Sequence, residues 1–118
     1  MKTIDEMMHE TDVPVVVADH RGLITHVNER FGAAFGWAGD EIIGRMLTAI
    51  VPSSFHDAHQ LGFSRFLTTG QPTLLNQPLE LKVVTKEGRE IDAEHIIIAE
   101  QHRGQWVFGA TIRPLREQ

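Results

Sequence analysis

The sequence predicts an α+β domain: a five-stranded antiparallel sheet with short helices and one longer helix over one face. Three observations lead there. Apolar and polar residues alternate with a period of two over residues 23–27 and 91–99, as half-buried strands require. Between the early and late strands, helix-like spacing over residues 28–49 is interrupted by Gly32, Gly36, Gly39 and Gly44, so it makes short pieces. One stretch, from Ser53 to Gly70, has both a start and a stop for a longer helix.

Taken in order, Thr3 and Glu6 fit a capping box opening a short helix whose apolar residues are Ile4, Met7 and Met8. That face either folds over its own sheet or meets a second copy of the chain. Residues 13–18 are a β-branched run, and Pro14 within it argues for a sheet edge. Asp19-His20-Arg21-Gly22 reads as the turn of a hairpin joining this run to residues 23–27. In the longer helix, Ser54 with Asp57 offers the cap and Gly70 the stop. Phe55, His59, Gly62 and Phe66 share one face of it, with Phe63 at the border. Residues 79–85 and 91–99 flank Lys86-Glu87-Gly88-Arg89, a hairpin signal. A second turn, His102-Arg103-Gly104, leads to residues 106–112. Alternation puts Ile91, Ala93, His95, Ile97 and Ala99 inward, with Asp92 and Glu94 outward. On the last strand Trp106, Phe108, Ala110 and Ile112 face inward, and Pro114 stops the ladder.

Composition narrows the function. At 118 residues, 42% hydrophobic and 23% charged, the chain has the size and balance of one folded domain. A net charge of −5 leaves no cationic excess to neutralise phosphates, which argues against nucleic acid or an acidic membrane as partner. The absence of Cys excludes disulfides, thiolate metal sites, iron–sulfur clusters and photochemistry through a cysteinyl adduct. No apolar run approaches the ~20 residues that cross a bilayer. Asp5 and Glu6 stand where a signal peptide needs an apolar core, so the cytoplasm is the expected compartment.

Catalytic signals are sparse. His56 and His59 lie at i, i+3 with Asp57 between them, but no further metal ligands follow at recognisable spacing. His9, His20, His26 and His102 fall in turns or on solvent faces. Glu80, Glu87, Glu90, Glu94 and Glu100 read as a solvated strand face. No phosphate loop and no nucleophile with its base is visible, so no activity of the chain's own is expected.

Asp19, Gly22, Ile24, Asn28, Phe35-Gly36-Trp37, Glu41, Gly44, Pro52 and Lys86-Glu87-Gly88 together resemble a PAS domain. The pattern is Asn-x6-Phe-Gly-Trp-x3-Glu-x2-Gly, followed about forty residues later by a charged Gly turn. The match divides the single domain 1–118 into an N-terminal cap (1–11), a PAS core (12–113) and an exit (114–118). It implies a sensory or dimerisation module that cradles a ligand, or none, between sheet and longer helix. It also implies a homodimer and an effector attached on the C-terminal side. The Asp-x-Thr element that ends the last strand in many members is not evident at Arg113-Pro114-Leu115-Arg116.

Within that family, residues 59–70 resemble the haem-binding helix of FixL-type oxygen sensors. This implies b-type haem, with His59 as proximal iron ligand and Arg65 at a propionate, sensing a diatomic gas or redox state. Neutral imidazole suits iron, and the macrocycle needs an apolar, aromatic slot. Gly62 would admit a flat ring to the backbone, and Phe66, Ile97 and Trp106 would border it. Two departures stand out. Leu79 occupies the position of the oxygen-stabilising Arg, and His95 that of a distal Leu, which makes His95 a sixth ligand or a donor to bound gas. The alternative is a haem-free module, either a small-ligand or flavin sensor or a dimerisation domain, in which His59 caps or packs.

Overall fold

The computed structural model describes residues 3–69 and 77–115. Its strands are β1 (Val15–Ala18), β2 (Ile24–Val27), β3 (Leu79–Val84), β4 (Glu90–His102) and β5 (Gln105–Pro114). They form one antiparallel sheet in the order β2-β1-β5-β4-β3. The helices are α1 (Ile4–Met8), α2 (Glu29–Phe35), α3 (Gly39–Ile42) and α4 (His56–Thr69), with 3-10 turns at Leu47–Ile50 and Ser53–Phe55. This is the α+β architecture expected, including the short helical pieces between residues 28 and 49.

Two apolar layers hold it together. On the inner face, Val16, Ile24, Phe31, Phe35, Ile42, Ile50, Val83, Ile91, Ala93 and Ile112 form a buried core. Phe31 and Phe35 meet edge to face with centroids 5.0 Å apart, the preferred geometry for aromatic rings. On the outer face, α1 lays Ile4 and Met7 on Val15, Val17 and Ile98. The Thr3–Glu6 capping box closes its first turn, and the carboxylate of Glu100 accepts from the Ile4 N–H at 3.0 Å. Of the two roles open to α1, the structure shows folding over its own sheet, with Met8 remaining 46% exposed. Gly109 of β5 makes this seat possible. A Cβ there would lie 2.7 Å from Ile4 Cδ1 and 2.8 Å from Met7 Sδ.

Asn28 ties the early elements together. Its Oδ1 accepts from the N–H groups of Val15 and Phe31, both at 3.0 Å, and so caps α2. Its Nδ2 donates to the carbonyls of Glu10 at 3.0 Å and Val13 at 2.8 Å. The hairpin between β3 and β4 docks on the same region. The Lys86 N–H donates to Phe35 O at 3.0 Å, and its ammonium pairs with Glu41.

Three local expectations are corrected. Pro14 does not mark an edge: β1 runs between β2 and β5 and is buried throughout. The proline stands just outside the strand and needs only its carbonyl, which accepts from Ile112 N–H at 2.9 Å. Pro114 does not stop the ladder either, since it still pairs with Ala93 and the Leu115 N–H bonds Asp92 O at 3.0 Å. Its missing donor lies on the Ile112 side of the strand, beyond the point where β1 has begun, so no bond is lost. Ser54 does not cap α4, because it sits inside the 3-10 turn that runs directly into that helix. The predicted stop at Gly70 and the exit beyond Leu115 lie outside the described residues.

Candidate functional site

Between the inner face of the sheet and α4 lies a cavity of ≈ 740 Å³. Folded cores are close-packed, so an opening of this size needs a reason. Drug-sized ligands occupy pockets of roughly 300–1,000 Å³. Carbon dominates the walls. Val16 and Ala18 come from β1, Ile97 and His95 from β4, and Phe108, Ala110 and Ile112 from β5. Leu47, Ile50, Pro52 and Phe55 close the sides, and His59 and Phe63 descend from α4. Phe55 and Leu81 stand at the opening, 53% and 44% exposed.

An aromatic cluster fastens α4 to the sheet. Phe63 meets Phe108 at 5.0 Å, and Phe66 meets Trp106 at 4.8 Å and Phe108 at 5.4 Å. The Phe63 ring also covers Gly22, where φ is +80° and a Cβ would stand 3.6 Å from the ring edge. The helix therefore turns the residues His59, Phe63 and Phe66 toward the sheet.

Two imidazoles border the cavity. His59 stacks on Phe63 with ring centroids 6.3 Å apart, and its Nδ1 is buried with no hydrogen-bond partner among the described residues. Burial pushes its pKa below the ordinary value, and the neighbouring His56 adds to the effect. His95 is 9% exposed, and its Nδ1 lies 3.2 Å from the carbonyl oxygen of Ala93. Burial again lowers the pKa, outweighing that hydrogen bond, which acts the other way. Both rings are neutral near pH 7 and retain a nitrogen lone pair.

Of the residues expected around a ligand, His59, His95 and Ile97 line the cavity. Gly62 does not approach anything: it is exposed, and a Cβ there would meet nothing within 4 Å. Phe66 and Trp106 pack on each other and neither has a place on the wall. Arg65 is exposed and outside the lining, as is half-buried Leu79, the cross-strand neighbour of His95. His56 is committed elsewhere, donating from Nε2 to Val51 O at 2.7 Å. His26 is not on a solvent face; it is half-buried, its Nε2 has no partner among the described residues, and burial lowers its pKa. Sequence reasoning missed Val16, Ala18, Leu47 and Ile50 as wall residues. The sequence marked the two β1 residues only as members of a β-branched run, and nothing local marked the 3-10 turn.

The chemistry of the walls suits haem in one respect only. Neutral His59 and His95 are competent iron ligands, whereas Arg65 is not placed to meet a propionate. Among the described residues no three or more His, Asp or Glu side chains gather as a metal site. No helix among them is long and apolar enough to cross a membrane.

Comparison with known proteins agrees with this geometry. A PAS domain of an HTR-like protein from Haloarcula marismortui superimposes with a TM-score of 0.73 at 21% identity, covering 95% of this chain and 88% of that one. A PAS domain from Desulfitobacterium hafniense gives 0.72 at 15% identity, covering 89% and 94%. The LOV protein of Rhodobacter sphaeroides gives 0.66 at 12% identity, covering 95% and 66%. An uncharacterized protein of Azorhizobium caulinodans is 30% identical over 105 residues, which make up 88% of this chain but 14% of that protein's length. The family model described as the PAS fold matches residues 2–103 and does not single out haem-binding members. On that match, and on the sheet and helices that carry it, the chain belongs to the PAS family, whose domains are regulatory sensor modules.

Proposed function

We propose that this chain is a sensory input domain that takes up a mostly apolar, ring-sized organic ligand and relays its presence to an effector. The ≈ 740 Å³ cavity with carbon walls carries this reading. The effector would follow on the C-terminal side, and 1–118 would act as one cytoplasmic unit that pairs with a second copy. The much greater length of the Azorhizobium caulinodans relative supports further domains around such a unit. The isoalloxazine ring of a flavin falls within this ligand class, but without Cys it would bind with no cysteinyl adduct.

The test is thermal unfolding with 2-methylnaphthalene, a neutral two-ring probe. A ligand that binds only the folded state raises Tm by mass action. The Ala110→Leu variant, which places a larger side chain on the cavity wall, should lose most of that gain. No shift with the parent protein would sink the proposal.

A second reading has its own observation: two neutral imidazoles border one cavity. His59 and His95 would then hold haem, which supplies an iron centre for a diatomic gas. The residues' own part would be to offer imidazole nitrogens to the iron, with Phe63, Phe108 and Ile97 excluding water. Addition of hemin should give a Soret band distinct from free hemin and absent in His59→Ala. A spectrum identical to free hemin would eliminate this reading.

A further inference from the structure

The polar groups around the cavity specify what its occupant must carry, an inference that rests on reading the cavity as a ligand site. A carbonyl oxygen only accepts, so the 3.2 Å contact between His95 Nδ1 and Ala93 O places the ring proton on Nδ1. The ring is nine-tenths buried among carbon and neutral, so Nε2 has a bare lone pair. No described residue donates to Nε2. A ligand that covers this acceptor without supplying a donor leaves it unsatisfied, which is costly, whereas one that supplies a donor does not.

The remaining charges act in the same direction. Among the described residues lining the cavity, Lys82 is the one cation, and it is paired with Asp92 at 2.8 Å. Glu80, Lys82 and Asp92 reach the cavity's edge from strand positions that alternate with His95, so their side chains belong to the other face of the sheet. An anionic ligand on the inner face would therefore find the His95 acceptor and no unpaired cation to offset its lost hydration.

We propose that the cavity selects neutral, mostly apolar ring compounds bearing a hydrogen-bond donor, a phenolic O–H or an indole-type N–H, which His95 accepts at Nε2. Compounds of the same shape that carry a carboxylate are rejected. His95 is thus the residue that sets specificity, while the carbon walls supply affinity.

Titration of the whole chain with four naphthalenes tests this: 2-naphthol, 2-methoxynaphthalene, 2-naphthoate and 2-methylnaphthalene. The expected result is 2-naphthol binding about tenfold tighter than 2-methoxynaphthalene, the size of one net hydrogen bond, with 2-naphthoate weakest. The variant His95→Leu should bind 2-methylnaphthalene like the parent but lose the preference for 2-naphthol. His95→Gln, which keeps an acceptor oxygen, should restore part of it. Should His95→Leu fail to fold, the parent series and His95→Gln decide. Equal binding of 2-naphthol and 2-methoxynaphthalene, 2-naphthoate binding as tightly as 2-naphthol, or a preference unchanged in His95→Leu would each overturn the specificity while leaving the cavity a ligand site. Failure of all four to bind the parent protein would overturn both.

Discussion

The side-chain amide of Asn28 has two acceptor sites and two donor hydrogens, and all four are engaged. Asn28→Ala would uncap α2 and leave the Val15 N–H and the Glu10 and Val13 carbonyls without these partners. The expected loss is about 2 kcal/mol or more, read as a lower urea midpoint at unchanged m-value. Gly109→Ala tests the opposite limit, too much volume. Its new methyl would fall 2.7 Å from Ile4 Cδ1, and overpacking of this kind costs about 1–3 kcal/mol. Hydrogen exchange should show α1 losing protection while β4 and β5 keep theirs; protection of α1 as in the parent would contradict the seating described. At this scale the sequence was readable where a residue's role is local. The Asp19 turn is one case: the carboxylate accepts from the Arg21 and Leu23 N–H groups at 2.9 and 3.1 Å. Burial alone would raise its pKa, but these bonds and the Arg21 guanidinium bring it below the ordinary value.

At the scale of elements, the late strands were legible because alternation with a period of two has one solution on a sheet with one buried face. The face of α4 was legible only in part. Helical spacing grouped Phe55, His59, Gly62 and Phe66, yet the structure turns Phe63 inward and Gly62 out. What decides the rotation is the partner surface: Trp106 and Phe108, four decades of residues away in sequence, offer rings to Phe63 and Phe66. No periodicity within the helix contains that information. The same partnership makes α4 testable as a unit. Phe66→Ala removes the ring bridging Trp106 and Phe108, and because Phe66 is half-buried the cost is about 1–2 kcal/mol, below that of a fully buried Phe. Amide exchange in α4 should accelerate far more than in β5; equal acceleration in both would show that the cluster does not anchor the helix.

For the molecule as a whole, His26, His59 and His95 act together. Burial lowers the pKa of each, so each binds its proton more readily in the unfolded chain. Stability is then fully present above about pH 6.5, the ordinary His value, and falls as pH drops through it toward the lowered folded-state values. The urea midpoint should decline between about pH 7.5 and about pH 5.5, less steeply in His95→Gln. A flat profile would mean that these rings are solvated. The cavity itself was foreseen as a place between sheet and helix, but its walls come from five separate segments, and only the assembled fold brings them into register. Strand β5 has a particular position in that assembly. Phe108 and Ala110 look into the hollow, while Gly109 between them presents bare peptide to Ile4 and Met7. One thickness of main chain is therefore the whole partition between interior and N-terminal cap, with no side chain there to cushion a push from either room.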